Sequence, residues 1–560
     1  MPENHGARTG GRILIDALAL NGADTVFCVP GESYLAALDA LYDTQQIRTI
    51  VCRQEGGAAM MADAYGKLTG RPGLCFVTRG PGASNAAAGL HIAAQDSTPM
   101  ILLVGQVERQ TLDRGSFQEV DYKQMFGGQA KFVGQIADPR RVPEFVNRAY
   151  QIATSGRPGP VVLALPEDML TDTAEVADAA PSLGAQGEPA PRQMQALRAL
   201  LEKAERPIVV LGGGVWNADA AEAARRFAAA NDLPVFTTFR RQDLIDNTYA
   251  GYAGYLGVAM APSAAKRARD CDLVLALGTR LGDVETDGYQ MFRLPRPAQK
   301  IVHVFPDPDE IGRVWQADLA IVASPIEAAK ALAALAPVKA PRWSAWTRAA
   351  RADYAADSKP QAMPGPVDMA AIVKHLSDTL PDDAIITNGA GNYAVWAHRY
   401  FTFRKFGTQL APTSGSMGYG LPAAVAAKLK HPERTVVCFS GDGCLMMTVQ
   451  EFATAVQYGA PFVTIVYNNG MYGSIRMHQE KFYPGRVSGT DIQNPDFAAL
   501  ARACGWHGET VERTDAFAAA YQRSVMSGKP AIIDLKVDPE ALTTRASLSQ
   551  IRAAGQRAKR

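Results

Sequence analysis

The sequence has almost no net charge, no long apolar run and no paired cysteines, and each absence removes a class of protein. Its 57 Lys and Arg residues nearly balance 56 Asp and Glu residues, for a formal net charge of +1. This balance gives no electrostatic reason to expect binding to nucleic acid or to an anionic membrane surface. No uncharged apolar stretch reaches the roughly 18 residues that a membrane span needs, so we expect no span. Residues Met1–Gly11 are polar, which predicts that the chain begins without a signal peptide.

Cysteine is scarce: the chain has seven, an odd number, and no two form a Cys-x-x-Cys pair. Four of them, Cys28, Cys52, Cys75 and Cys438, lie within apolar runs. Cysteines in such surroundings are typical of reduced core residues in a reducing compartment. We therefore expect a cytoplasmic protein.

The 560 residues are too many for one hydrophobic core and suggest about three domains. Strand and helix patterns alternate along the chain, which is typical of parallel sheets covered on both faces. We therefore predict an α/β fold of three consecutive doubly wound parallel-sheet domains. The predicted domains span 1–175, 190–340 and 365–540, with linkers at 171–193 and 358–366 and a basic, weakly structured tail at 541–560.

The stretch from Thr435 to Tyr472 organises the functional analysis. It predicts a strand at 435–439, a turn at 440–443, one helix with Leu445, Val449, Phe452 and Val456 on a single face, and a second strand at 462–467. Such a strand-helix-strand unit is right-handed, and its two parallel strands end at the same edge of the sheet.

Two polar residues follow these strands and are therefore predicted to lie side by side: Asp442 and Asn469. One anionic and one neutral oxygen ligand suit a hard cation such as Mg²⁺. Gly441 and Gly443 would let backbone N–H groups approach an anion at the start of the helix. The stretch therefore predicts a metal-bridged diphosphate, although Asp-Gly and Asn-Asn-Gly are each also common in ordinary turns.

This pattern resembles the GDG…NN signature of thiamine diphosphate-dependent enzymes. The resemblance implies that Asp442, Asn469 and the backbone carbonyl of Met471 hold Mg²⁺. It extends over nearly the whole chain and is nearest to the acetolactate synthase-like branch, with counterparts at 117–119, 156–161 and 165–168. It names the three domains as pyrimidine-binding, central and diphosphate-binding.

Glu55 is the predicted catalytic acid. Its position before a helix at 56–68 is also that of an ordinary first-turn acid, which the helix dipole favours. The run from Arg53 to Gly66, however, resembles the family segment whose glutamate hydrogen-bonds the aminopyrimidine of the cofactor and favours its imino form. That form removes the thiazolium proton, and the carboxyl must share a proton to support it.

The resemblance assigns further roles residue by residue. Met417, in a glycine-rich loop, would wedge the cofactor into its bent shape, and the Gly-Pro loop at 79–85 would meet the pyrimidine. Phe117, Gln118 and Lys131 would approach the substrate. The predicted cofactor-binding residues are Pro30, Gly31, Pro81, Asn85, Asn388, Gly389, Gly391, Asn392, Ser414, Met417, Gly441, Gly443, Cys444, Met471 and Tyr472.

The sequence departs from the family pattern in the pocket and in the central domain. His478 stands where acetolactate synthases carry a Trp that shapes the 2-keto acid pocket. The flavin-associated run appears as Arg280-Leu281-Gly282-Asp283-Val284 and lacks its second arginine, so the prediction of FAD is uncertain. Gly212-Gly213-Gly214 is not a dinucleotide fingerprint. No histidine pair occurs near His91, which disfavours a simple 2-keto acid decarboxylase.

The predicted function is thiamine diphosphate- and Mg²⁺-dependent carboligation or decarboxylation of 2-keto acids. The alternatives are another lyase, decarboxylase or hydrolase of the same family acting on a 2-hydroxyacyl or diketone substrate, or an FAD- or nucleotide-binding protein without thiamine chemistry. The resemblance implies a homodimer or homotetramer with the site at the subunit interface. The acceptor substrate, the role of His478 and any regulatory subunit are left open by the sequence.

Overall fold

The computed structural model of the protein describes residues 6–559. The chain forms two compact units. The first contains the residues up to Ala185 together with Val425–Lys430 and Gln450–Tyr458, and the second contains the rest. Within residues 6–559, no helix combines the length and apolarity needed to cross a bilayer.

The first unit contains one six-stranded parallel sheet and a separate pair of short strands. Its strands are β1 (Arg8–Thr9), β2 (Thr25–Cys28), β3 (Arg48–Val51), β4 (Gly73–Val77), β5 (Met100–Gln106), β6 (Phe132–Gln135), β7 (Pro160–Pro166) and β8 (Thr173–Ala174). Its helices are α1 (Gly10–Leu20), α2 (Leu35–Tyr42), α3 (Glu55–Thr69), α4 (Gly80–Asp96), α5 (Tyr122–Phe126), α6 (Val142–Thr154) and α7 (Glu167–Thr171). Six strands are ordered β3-β2-β4-β5-β7-β6, and β1 pairs with β8 apart from them. Every residue of β4, β5 and β7 is buried, as expected for strands covered on both faces.

Helix α3 shows how the local sequence sets a boundary that matters for the site. The side chain of Gln54 accepts a hydrogen bond from the N–H of Gly57 at 3.0 Å and so caps the first turn, in which Glu55 lies. The helix ends at Gly70, whose φ of 68° is the left-handed conformation that glycine adopts without a steric penalty. The sequence therefore fixes both ends of the helix that carries Glu55.

The second unit begins with the middle sheet. Its strands are β9 (Pro207–Leu211), β10 (Val235–Thr238), β11 (Tyr252–Leu256), β12 (Leu273–Leu277), β13 (Lys300–Phe305) and β14 (Leu319–Val322), and its helices are α8 (Pro191–Lys203), α9 (Ala218–Ala230), α10 (Pro262–Asp270), α11 (Pro325–Ala333) and α12 (Ser344–Asp357). The order is β11-β10-β9-β12-β13-β14, all parallel.

The third sheet follows along the chain. Its strands are β15 (Ile385–Asn388), β16 (Gln409–Leu410), β17 (Val436–Gly441), β18 (Val463–Asn468), β19 (His507–Val511) and β20 (Ala531–Lys536). The helices are α13 (Met369–Thr379), α14 (Ala394–Tyr400), α15 (Gly420–Lys430), α16 (Asp442–Leu445), α17 (Glu451–Gln457), α18 (Gly473–Phe482), α19 (Phe497–Ala503), α20 (Phe517–Met526) and α21 (Leu548–Ala558). The order is β16-β15-β17-β18-β20-β19. The prediction of three parallel-sheet α/β domains is confirmed.

Three local predictions were wrong. The helix expected between β17 and β18 is two short helices, α16 and α17, and Val456, expected on the buried face, is exposed. The Gly-Pro loop at 79–85 is the start of α4, since proline is well tolerated in a first turn. The tail contains α21, which packs on α18, where Arg552 pairs with the buried Glu480. The domain boundaries at 175, 190, 340, 365 and 540 stay predictions.

Candidate active site

Three neighbouring strands of the third sheet bring the predicted metal residues together. β15, β17 and β18 are adjacent, and they end at Asn388, Gly441 and Asn468. Beyond these ends lies a pocket of about 230 Å³. Its lining includes the predicted residues Gly391, Asn392, Met417, Gly441, Asp442, Gly443, Cys444, Asn469, Met471 and Tyr472. The juxtaposition of Asp442 with Asn469, expected from strand topology alone, is present.

Asp442 is held by a set of donors that fixes its carboxylate. Oδ1 accepts from the N–H of Gly443 at 2.7 Å, and Oδ2 accepts from the N–H of Gly470 and the Nδ2 of Asn494, both at 2.8 Å. Burial raises the pKa of the carboxyl above its ordinary value, although the bonds from Gly443, Asn494 and Gly470 lower it. A nearby cation would therefore stabilise the ionised form.

Asn494 is a hydrogen-bond partner of Asp442 that the sequence did not reveal. Its Nδ2 also donates to the Oδ1 of Asn468 at 2.9 Å, so one amide ties Asp442 to the end of β18. Asn468 in turn donates to the Oδ1 of Asp534 on β20 at 3.0 Å. Asn494 lies in an irregular segment, and nothing in its neighbouring residues distinguishes it from an ordinary loop asparagine.

The two other predicted metal ligands, Asn469 and Met471, suit a hard cation that also binds oxygen atoms of a ligand. The side chain of Asn469 lines the pocket and has no hydrogen-bond partner within residues 6–559. Met471 forms an antiparallel bridge with Asp491, which fixes its backbone. Among the described residues, no three His, Cys, Asp or Glu side chains cluster as a metal site. One carboxylate, one amide and one carbonyl would leave coordination positions for phosphate oxygens and water, as Mg²⁺ prefers.

Close packing explains two of the glycines around this pocket. A Cβ on Gly443 would lie 2.6 Å from the ring of Tyr472, and a Cβ on Gly389 would lie 2.5 Å from the Sγ of Cys444. Helix α16 has only four residues, so its dipole is smaller than the predicted longer helix would have supplied. Backbone N–H groups, rather than a long helix, are left to meet an anion here.

The loop that carries Met417 is fixed immediately after that residue. The Sγ of Cys444 accepts from the N–H of Gly418 at 3.1 Å, and the Oγ1 of Thr448 donates to its carbonyl at 2.7 Å. Met417 is half-buried and packs against the core of the third sheet, so it projects less from the loop than the sequence predicted. It nevertheless lines the pocket.

Other predicted residues have structural neighbours that the sequence did not show. The amide of Asn392 accepts from Ser474 at 2.9 Å and donates to the carbonyl of Leu542 at 3.2 Å, so it joins two walls of the pocket. Asn388 and Ser414 lie in the same region but do not line the pocket. His478 is exposed on α18 and stacks on Phe482 with ring centroids 6.1 Å apart.

Glu55 belongs to the first unit, where α3 and α4 begin at the carboxyl edge of the sheet. Its Oε2 accepts from the Nδ2 of Asn85 at 2.9 Å. A Cβ built on Gly82 would lie 3.4 Å from its Oε1, so the first turn of α4, which contains Pro81, lies beside the acid. The structure therefore brings together Glu55, Pro81 and Asn85.

The loops after β2 and β5 reach the same edge of this sheet. A Cβ on Gly31, which follows Pro30, would lie 2.5 Å from the Cβ of Thr78 at the end of β4. The carbonyl of Gln118 accepts from the N–H of Gly80 at 3.0 Å, and Gln118 has a φ of 64°. Phe117 beside it is 74% exposed.

Lys131 has other partners within the chain, and its predicted contact with the substrate stays a prediction. Lys131 precedes β6, and its N–H donates to the carbonyl of Pro160 at the start of β7. Its Nζ donates to the carbonyls of Ile152 and Ser155. These contacts lie at the amino edge of the sheet, opposite the edge where Glu55 lies, because all six strands are parallel.

Glu451 is a second residue that sequence analysis did not identify. It is fully buried in the first unit, and its carboxylate accepts from the N–H groups of Arg53 and Gln54, at 3.1 to 3.3 Å. Burial raises the pKa of this carboxyl. Glu451 therefore fixes the backbone directly before Glu55. The sequence signal that could have identified Glu451 is its position as an acidic residue on a helix face with buried apolar neighbours.

An acid at the edge of one parallel sheet, and a glycine-rich pocket with oxygen donors at the edge of another, define an α/β enzyme that uses a phosphorylated cofactor. Family models match three ranges: the N-terminal thiamine pyrophosphate-binding domain over residues 8–125, the central domain over 194–332 and the C-terminal thiamine pyrophosphate-binding domain over 389–535. The chain belongs to the thiamine pyrophosphate enzyme family.

Relatives with assigned names are similar over almost their whole length. The acetolactate synthase large subunit of Parasynechococcus marenigrum is 33% identical, over 94% of this chain and 87% of that protein. The acetolactate synthase isozyme 2 large subunit of Escherichia coli is 32% identical, over 94% and 95%. The probable acetolactate synthase large subunit of Methanocaldococcus jannaschii is 31% identical, over 95% and 93%.

Proposed function

We propose that the protein is a thiamine diphosphate- and Mg²⁺-dependent carboligase of 2-keto acids, similar in reaction to the acetolactate synthases. The observation that carries the proposal is the oxygen donor set of Asp442, Asn469 and Met471 around a glycine-lined pocket. These residues would hold the metal, and the backbone around Gly443 would meet the diphosphate. When bound, the cofactor supplies a carbon nucleophile for a 2-keto acid and an electron sink for loss of carbon dioxide.

The residues of the first unit would manage protons and the reacting face. Glu55 would hold a proton at the pyrimidine nitrogen, and Asn85, bonded to its Oε2, would orient it. Met417 would fix the bent shape of the cofactor. Phe117 and Gln118, beside the start of α4, would contact the substrate.

We further propose that two copies of the chain complete each site. In this arrangement the Glu55 region of one copy serves the diphosphate pocket of the other, and the family resemblance supports it. Light scattering of the active protein tests it, because an active monomer at working concentration would contradict it. All seven cysteines are free thiols, which supports the cytoplasm as the compartment.

The activity is tested with purified protein, thiamine diphosphate, Mg²⁺ and pyruvate as the first 2-keto acid of a panel. We expect carbon dioxide and a coupled 2-hydroxy-2-keto acid product, measured together by mass spectrometry. Carbon dioxide with an aldehyde and no coupled product would contradict carboligation and favour a decarboxylase. Absence of any turnover over the whole panel, with cofactor bound, would contradict both.

A further inference from the structure

One turn of the middle sheet binds the backbone that leads into the Met417 loop. The turn follows β10 and consists of residues 240–243; we call it the clamp turn. The bound backbone is residues 407–412, the β16 segment, which contains β16 and ends five positions before Met417. Both belong to the second unit. The middle domain supplies none of the residues predicted to bind the cofactor, so these contacts give it a connection to the pocket.

Asp243 makes the largest contribution to the clamp. Its Oδ2 accepts from three consecutive N–H groups, those of Gly407, Thr408 and Gln409, at 3.0, 3.2 and 3.3 Å. Asp243 is only 2% exposed, and burial raises the pKa of its carboxyl, while Arg241 and the three N–H groups lower it. Three N–H groups that converge on one oxygen favour the ionised carboxylate, and charge-assisted bonds of this kind are the stronger ones.

Two other residues of the clamp turn, Gln242 and Arg240, add bonds on either side of Asp243. The N–H of Gln242 donates to the Oε1 of Gln409 at 2.7 Å, and its Nε2 donates to the carbonyl of His398 at 2.7 Å. Arg240 donates through Nη1 to the carbonyl of Pro412. Arg240 has a φ of 61°, a left-handed conformation that is unfavourable for a residue with a side chain. The surrounding contacts therefore maintain a strained turn.

The β16 segment needs this support because it pairs so little within its own sheet. β16 has two residues and lies at the edge of the sheet, where its only register is Gln409 with Ile386 and Leu410 with Thr387. Beyond Pro412, whose carbonyl also accepts from the N–H of Gly415 at 3.0 Å, the loop continues to Met417, and Cys444 and Thr448 fix Gly418 after it. The Met417 loop is thus held by the middle domain on one side and by the diphosphate loop on the other.

We propose that Arg240, Gln242 and Asp243 are positioning residues that fix Met417 in the cofactor pocket. The inference rests on the proposed function, since it gives Met417 a task to be positioned for. These residues act through the backbone of the β16 segment. Displacing a positioning group by about 1 Å can slow a reaction by about 10²-fold. The clamp turn can therefore affect cofactor activation although it lies outside the pocket.

The test compares Asp243→Ala with a matched control, Asp272→Ala. Asp272 is also a middle-domain carboxylate that accepts from two backbone N–H groups, those of Glu205 and Arg206, at 2.7 and 3.0 Å, but it has no bond to the β16 segment. The first readout is amide hydrogen exchange of peptides 407–412 and 413–417 in the protein without cofactor. The second is exchange of the thiazolium proton with deuterated solvent at saturating thiamine diphosphate and Mg²⁺.

We expect Asp243→Ala to speed amide exchange in both peptides and to slow thiazolium proton exchange by about 10²-fold. Cofactor affinity should stay at the wild-type value, because the diphosphate and metal residues are untouched. Asp272→Ala should leave both readouts unchanged. Asp243→Asn keeps the size and one accepting oxygen, so it should restore most of the wild-type behaviour, as a purely electrostatic role would not.

Two outcomes would overturn the inference. One is faster amide exchange confined to 407–412, with peptide 413–417 and the thiazolium proton behaving as in the wild type. The other is an equal effect of Asp272→Ala on the same readouts. If Asp243→Ala does not fold, Arg240→Met, which removes the bond to the carbonyl of Pro412, decides by the same criteria. Failure of wild-type protein to bind thiamine diphosphate would refute the proposed function instead, and peptide 413–417 would still test the clamp.

Discussion

Glu55→Gln separates activation of the cofactor from its binding. Glutamine matches glutamate in size and keeps an accepting oxygen, but its amide does not exchange a proton with a ring nitrogen at neutral pH. If Glu55 holds the shared proton, the substitution should slow activation strongly and weaken binding little. If it is only a first-turn acid of α3, both quantities should stay near the wild-type values.

The structure sets the size of each effect. Asn85 donates to the Oε2 of Glu55 at 2.9 Å, so in the variant the carbonyl oxygen takes that place and the new NH₂ group replaces Oε1, beside Gly82. If the bond from this side chain to the cofactor also becomes a neutral amide bond, the cost is about 1 kcal/mol, or roughly fivefold in affinity. Loss of a positioned proton-transfer group slows the step by about 10²- to 10⁴-fold. The two effects therefore differ by more than an order of magnitude.

The assay measures exchange of the thiazolium proton with deuterated solvent by NMR, with cofactor saturating and substrate absent. Affinity is measured separately by titration calorimetry. Glu144→Gln is the control, because Glu144 is the first-turn acid of α6 and, within residues 6–559, hydrogen-bonds only Arg141 of its own segment. An exchange rate in Glu55→Gln equal to that in the control would refute the assignment of Glu55.

Three further predictions concern the metal, the tail and flavin. Asp442→Ala should abolish Mg²⁺-dependent retention of thiamine diphosphate through gel filtration, and retention without added metal would contradict the assignment. Arg552→Met should destabilise the packing of α21 by about 1 kcal/mol, seen as faster amide exchange at 548–558, because it removes one of two arginine partners of Glu480 while Arg476 stays. Arg552 is the main cause that lowers the pKa of Glu480 from 4.5 to about 2, so the difference from wild type should be full above pH 4.5 and vanish as pH falls to about 2. Because the run at Arg280 lacks its second arginine, the purified protein should be colourless, and a stoichiometric flavin absorbance band would reverse this.

Most of the fold could be predicted from the pattern of apolar strands. Parallel strands buried on both faces appear as continuous apolar runs, and the predicted strand at 435–439 became β17 at Val436–Gly441. The topological rule for parallel strands then brought Asp442 and Asn469 together, as the structure has them. The rule needs only local information, because the residues at the end of each strand show where that strand stops.

Contacts between distant segments could not be predicted from the sequence. Lys131, for example, precedes its strand and donates from Nζ to the carbonyls of Ile152 and Ser155, and its predicted contact with the substrate stays a prediction. The prediction of a weakly structured tail was wrong for another reason. Ser547 and Gln550 form a capping box at the start of α21. That signal was present in the sequence, and the basic composition of the last residues obscured it.

The interrupted helix after Asp442 shows why a helical period in the sequence can still predict one continuous helix where the structure has two short ones. A continuous helix would satisfy more backbone hydrogen bonds locally, and the apolar spacing of this stretch favours one. The chain instead ends α16 at Leu445, and the buried Thr448 donates from Oγ1 to the carbonyl of Gly418. Cys444, within α16, accepts from the N–H of the same residue. The break in the helix thus allows one short segment to hold both polar groups of Gly418, next to Met417. The bonds involved join residues 26 and 30 positions apart, so no local pattern could have indicated them.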